Sequence, residues 1–302
     1  MKKNNRFIIH ILTMVLFCST TQQSWSQDMI PTAPRPDMRV KDIRQLTPYK
    51  LTLDTIAVQV LFPEAFQHTK PNTIADNGNV LKPIMERLHR LRLGMSEDTL
   101  RIVHIGDSHV RGRIFPRTVG TKLGEIFGAI SYTDMGVNGA TCLTFTHPDR
   151  IEAIVEMQPE FLILSFGTNE SHNKRYNSTV HYHQMDELVK LLRSRLPNIP
   201  ILLTTPAGSY ESFRQSRRRR TYSVNKRTIT VVNTIRKYGQ DRKLAVWDMY
   251  NVVGGKDHAS TNWWDAGLMR PDHVHYIPDG YILQGELLFK ALINTYNEYV
   301  AD

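Results

Sequence analysis

Ser108 is the residue around which this chain can do chemistry. It stands in Gly106-Asp107-Ser108-His109, directly after the apolar run Leu100 to Ile105. A serine at the carboxyl end of a buried strand has an exposed hydroxyl with backbone N–H groups nearby. That hydroxyl is a weak nucleophile and needs a base. His275 can serve, because imidazole titrates close to neutrality. Asp272, three residues earlier in Asp272-His273-Val274-His275, can reach the other ring nitrogen and fix the tautomer. A tetrahedral intermediate then needs donors for its oxyanion. The Ser108 backbone, the turn Gly136-Val137-Asn138-Gly139-Ala140-Thr141 and the Asn169 amide in Gly167-Thr168-Asn169-Glu170 can supply them. Glycine in such a turn lets backbone approach a ligand closely. Acyl transfer to serine and on to water follows, with no metal or organic cofactor required.

Each of these residues also has a plainer reading. Ser108 can cap a helix, Asn169 a turn, and Asp272 the loop before the last helix. His273 is a rival base beside Asp272, with poorer spacing. His109 is expected to pack beside the site, and His104 to be a satisfied core histidine. His181-Tyr182-His183 reads as a solvated edge rather than a metal site, because no third ligand clusters with it in sequence. Cys142 reads as a small buried filler. The absence of Gly-x-Ser-x-Gly argues against the nucleophile elbow of the α/β-hydrolases.

These segments need strands to carry them. Strands are expected at Leu51–Leu61, Leu100–Ile105, Ile130–Asp134, Phe161–Phe166, Ile199–Thr205 and Leu244–Asp248. Helices are expected at Leu81–Leu93, Phe115–Ile126, Asp149–Met157, His183–Leu196, Thr221–Tyr238 and Tyr281–Tyr299. Strands alternating with helices imply βαβ units and an α/β fold, a three-layer α/β/α sandwich with a mainly parallel sheet. Functional residues gather at the carboxyl ends of such strands.

The composition frames this reading. The first 26 of 302 residues read as a signal peptide. Lys2, Lys3 and Arg6 precede an apolar stretch, Phe7 to Cys18, that is too short and interrupted to span a bilayer. Cleavage is expected before Gln27, giving an exported protein, periplasmic or secreted. Lipidation at Cys18 is the competing reading, and bulky Phe17 disfavours it. Residues 27–98 read as an extension made of a tether, a strand and a helix. Residues 99–302 read as the catalytic domain. The leader carries three of the nine excess positive charges, leaving +6 on the mature chain. That excess fits contact with an anionic cell-wall polymer or an ordinary basic surface, and Arg217-Arg218-Arg219-Arg220 is open to both readings. With Cys18 removed, Cys142 is the only cysteine, so neither an intrachain disulfide nor a cysteine-based metal site is expected from the sequence.

In this order, the four segments resemble the blocks of the GDSL/SGNH hydrolase superfamily, over about Leu100 to Val300. The resemblance implies that Ser108 is the nucleophile, Gly139 the backbone donor, Asn169 the side-chain donor, and Asp272 and His275 the acid and base. Asp134 departs from the pattern, standing where an Asn is common. A narrower likeness is to periplasmic peptidoglycan O-acetylesterases and related bacterial carbohydrate esterases. It rests on Ser165 to Glu170, Trp247-Asp248 and Trp263-Trp264 with Gly267-Leu268 ahead of Asp272 to Tyr276. Many of those enzymes carry a β-sandwich between the Ser and Gly blocks. Here only 31 positions separate Ser108 from Gly139, so that insert is absent. The resemblance implies an O-acetylated glycan as substrate, with no nucleic-acid partner and no membrane span. Acetylated xylan, a lipid ester or a thioester are the other substrates this chemistry allows. A glycan-binding protein that kept the fold is the reading from another class.

Overall fold

The computed structural model describes residues 55–216 and 219–302, all within one compact unit, Thr47–Asp302. The signal segment, the tether, Arg217 and Arg218 lie outside the described residues.

In chain order the elements are β1 (Ile74–Ala75), α1 (Lys82–Arg92), β2 (Leu100–Gly106), α2 (Ser108–Arg111), α3 (Ile114–Phe127) and β3 (Ile130–Gly136). A 3-10 turn, Cys142–Thr146, leads to α4 (Pro148–Glu156), β4 (Phe161–Ser165), α5 (Thr168–His172), α6 (Ser178–Arg195) and β5 (Ile201–Thr204). There follow β6 (Tyr210–Arg214), β7 (Arg220–Val224), α7 (Thr228–Arg242), β8 (Ala245–Trp247), α8 (Met249–Val252), α9 (Gly255–Asp265) and α10 (Pro278–Ala301). The main sheet has the order β1-β8-β5-β4-β2-β3. All its pairs are parallel except β1 with β8.

Side-chain alternation builds the layers. In β4, Phe161 and Ile163 join one core with α1, α3 and α10, while Leu162 and Leu164 join a second with α4, α6 and α7. Strands β2, β5 and β8 divide their residues the same way. A period of two on strands buried on both faces gives the three-layer sandwich that the sequence predicts.

Two expected elements take other forms. No strand forms at 55–62, and residues 51–54 lie outside the described residues. Ile56, Val58, Val60 and Phe62 still pack on the core. Their partner is a helix, so side-chain amides replace a ladder. Asn297 on α10 accepts from the Ile56 N–H at 2.8 Å and donates to the Ile56 carbonyl at 2.9 Å. The helix expected at Thr221–Tyr238 starts only at Thr228. The preceding residues pair as an antiparallel hairpin, β6 with β7, in which Phe213 faces Thr221 and Ser212 faces Tyr222.

Candidate active site

The sheet places three loops side by side. Gly106, the last residue of β2, is in register with Gly136 on β3 and with Ser165 on β4. The chain leaves β2 toward β3 and then crosses over to β4. The carboxyl end of β2 is therefore the topological switch point, where such sheets bind ligands. Contact here is close. A Cβ on Gly136 would collide with the backbone of Val110 and Arg111, and a Cβ on Gly106 with Val110 and the Ser165 carbonyl. Glycine at both positions lets α2 seat directly on the strand ends.

Ser108 opens α2, and the cap is Asp107, whose carboxylate accepts from the His109 N–H at 2.9 Å. The N-cap reading of Ser108 therefore passes to its neighbour. Burial pushes the Asp107 carboxyl up to about 7, against the lowering effect of that N–H, and repulsion from Glu170 adds to the rise.

The Ser108 hydroxyl lies 2.9 Å from His275 Nε2, and His275 Nδ1 lies 3.0 Å from Asp272 Oδ2. A carboxylate only accepts, so Nδ1 carries the hydrogen and Nε2 offers its lone pair to the Ser108 O–H. Asp272 Oδ1 accepts from the backbone N–H of Val274 at 2.9 Å and of His275 at 2.8 Å. Burial raises the Asp272 carboxyl, but these N–H donors and the imidazole outweigh it and hold it below the usual carboxylate range. Asp272 thus caps its loop and orients the His275 ring at once.

Gly139 takes a left-handed φ of 74° in the loop after β3. Asn169, in α5, donates one amide hydrogen to the Ala140 carbonyl at 2.8 Å. This bond ties the two loops and leaves the second amide hydrogen for a ligand. Glu170 clamps them further, accepting from the Cys142 N–H and from the Gly167 N–H, each at 2.9 Å. The five residues singled out from the sequence thus stand on loops held to one another.

The histidines sort by burial. The ring of His273 lies 3.8 Å from both Tyr222 and Trp264, stacked between them, and makes no contact with Ser108 among the described interactions. His109 donates to or accepts from the Tyr281 hydroxyl at 3.1 Å, beside the His275 ring. Burial, reinforced by His275, brings His109 down to about 3 and keeps it neutral. His104 bridges Tyr132 and Ser165 at 2.9 and 2.6 Å within the core. His181 is not on a solvated edge. It is 2 % exposed, whereas His183 points to solvent. Trp263 is fully buried, and Trp264 is 41 % exposed.

The sequence reasoning missed the hairpin. Its Tyr210 N–H donates to the His273 carbonyl at 2.9 Å, which fixes β6 to the loop bearing Asp272 and His275. It also missed His172, whose Nε2 lies 3.0 Å from the Ser209 hydroxyl. An open groove of about 720 Å³ beside β3, lined by Val137, Phe145, His147 and Arg150, contains none of the triad residues.

The sequence model of the GDSL-like lipase/acylhydrolase family matches residues 104–283, from β2 into the last helix. The chain belongs to that family. The GDSL fold is shared with solved structures at low identity. A peptidoglycan O-acetylesterase superposes with a TM-score of 0.66 at 17% identity, covering 74% of this chain and 99% of its own. A carbohydrate acetylesterase from Sinorhizobium meliloti gives 0.48 at 11% identity, over 65% and 100%. A GDSL-like lipase from Bacteroides thetaiotaomicron gives 0.47 at 18%, over 71% and 98%. No curated protein matches the sequence. As a GDSL acylhydrolase the protein is a hydrolase of ester bonds. No helix among the described residues is long and apolar enough to cross a membrane.

Proposed function

We propose that this GDSL hydrolase is an exported serine esterase that removes O-acetyl groups from a cell-envelope glycan, peptidoglycan first among them. The observation that carries the mechanism is the continuous chain from the Ser108 hydroxyl through His275 to Asp272, at 2.9 and 3.0 Å.

His275 Nε2 takes the Ser108 proton as the oxygen attacks the acetyl carbonyl. Ser108 N–H, Gly139 N–H and the free Asn169 amide hydrogen receive the oxyanion. His275 then protonates the departing sugar oxygen, leaving acetyl-Ser108. A water, deprotonated by the same imidazole, attacks the acetyl group. Acetate leaves and Ser108 recovers its proton. Asp272 stays ionised throughout and stabilises the imidazolium.

The substrate rests on three supports. The first is the fold shared with the peptidoglycan O-acetylesterase. The second is a pair of partly exposed aromatic rings beside the triad, Tyr222 at 37 % and Trp264 at 41 % exposure, both stacked on His273. Such rings suit stacking on sugars. The third is charge: Arg214, Arg219 and Arg220 on the same hairpin make no ion pair among the described residues, which suits an anionic polymer.

The test is acetate release from O-acetylated peptidoglycan and from acetylated xylan, by the chain from Gln27 onward beside Ser108→Ala. Release from peptidoglycan is expected from the parent, with loss of about 10⁴-fold or more in the variant. Release from xylan alone moves the enzyme to polysaccharide degradation. Salt-sensitive glycan binding without cleavage of any ester, a simple aryl acetate included, replaces the esterase with a binding protein.

A further inference from the structure

Behind the candidate oxyanion loops lies a buried cluster that the ester chemistry does not use. Cys142 opens the 3-10 turn after β3, Glu170 sits in α5, and His181 sits in α6. Their ligand atoms, Sγ, a carboxylate oxygen and a ring nitrogen, all lie within 4.8 Å of one another. The three residues are 1 %, 5 % and 2 % exposed.

The hydrogen bonds fix what His181 presents to this cluster. Thr234 Oγ1 donates to the Thr230 carbonyl at 2.8 Å. The Tyr176 hydroxyl donates to Thr234 Oγ1 at 2.9 Å. The Tyr176 oxygen must therefore accept from His181, whose Nδ1 lies 3.0 Å away. With the hydrogen on Nδ1, a neutral ring carries a bare lone pair on Nε2. That atom is buried without a hydrogen-bond partner, 3.8 Å from Glu170 Oε1. Burial drives His181 down to about 4, so the ring is neutral at pH 7. Two acceptor atoms and a thiol thus face one another.

We propose that Cys142, Glu170 and His181 bind one zinc ion. A tetrahedral zinc with bonds of about 2.0–2.3 Å sets its ligand atoms roughly 3.3–3.8 Å apart, close to the His181–Glu170 separation here. Tyr176 is the outer partner that holds the histidine in the metal-binding tautomer. Binding exchanges a proton for the ion: Cys142 binds as thiolate and releases its proton to solvent, the Glu170 carboxylate and the neutral His181 ring complete the set, and the site becomes neutral. The ion joins the turn that follows Gly139 to the helix that carries Asn169.

The test uses the full mature chain, loaded with zinc and dialysed, with metal content measured by mass spectrometry. About one zinc per chain is expected, with a rise of about 5 °C in thermal midpoint over the chelated protein. Cobalt(II) in place of zinc should give a thiolate-to-cobalt charge-transfer band. Cys142→Ser and His181→Gln should each weaken binding by at least about tenfold, and His183→Gln, exposed on the opposite side of the same helix, should not. Less than about one zinc in ten folded parent chains, with no cobalt–thiolate band, overturns the proposal. So does unchanged zinc affinity in Cys142→Ser. The parent measurements decide the matter even where a variant does not fold.

Discussion

At the scale of single residues, the site depends on where protons are held. Asp107 has a folded-state pKa of about 7 against an ordinary 3.8, set mainly by burial. Between those values the native protein keeps a proton that the unfolded chain has released. Stability therefore falls as pH rises through this window, by up to about 4 kcal/mol above pH 7. Asp107→Asn keeps an oxygen for the His109 N–H and removes the titration. Thermal unfolding should show the variant gaining on the parent as pH goes from 4 to 8. Equal pH dependence in both proteins would sink this account. Asp272 has the opposite sign: its lowered carboxyl contributes stability above the ordinary carboxylate range and loses it as pH falls.

At the scale of elements, the legible parts were those with a local signature. Apolar runs such as Phe161–Phe166 identified the strands; three short polar segments after strands and a fourth before the last helix marked the candidate site. Two things were not legible. The alternation Ile56, Val58, Val60 has a strand's period, but its partner is α10, and no local pattern reports a partner 241 residues away. In 210–224, β-branched and aromatic residues lie among arginines, and the helical pattern expected from Thr221 overlaps β7. The hairpin also accounts for the position of His273: Tyr222 from β7 and Trp264 from α9 hold its ring on both faces, away from the Ser108–His275 pair. Each stacked aromatic pair is worth about 0.5–1.5 kcal/mol. Tyr222→Ala should therefore raise KM for acetylated peptidoglycan by about 3–10-fold. Replacing Arg219 and Arg220 by serine should flatten the dependence of KM on ionic strength. Both are read from initial rates of acetate release, and unchanged KM in both would remove the hairpin from substrate binding.

At the scale of the molecule, residues 55–80 are strapped across the sheet edge and α10. Asn72 accepts from the Trp247 indole at 2.8 Å and donates to the Leu287 carbonyl at 2.6 Å. Asn294 donates to the Asn72 carbonyl at 2.9 Å, and Asn297 holds Ile56 at both its N–H and carbonyl. Each such bond contributes about 0.5–1.5 kcal/mol net. Asn294→Ala and Asn297→Ala should each lower unfolding free energy by about 1–2 kcal/mol in urea titrations, without changing kcat on an aryl acetate. A loss below a few tenths of a kcal/mol in both would show that the strap is held by apolar contact alone.

The ends of the triad lie far apart along the chain: 167 residues separate Ser108 from His275. A polypeptide emerging amino end first completes the nucleophile's strand, the glycine turn and the amide helix long before its base exists. A translation product stalled ahead of Asp272 would display the serine in an inert setting. Only docking of the final helix, with the loop that precedes it, brings the imidazole to the hydroxyl. On the proposed chemistry, ester cleavage therefore waits for the loop that bears Asp272 and His275.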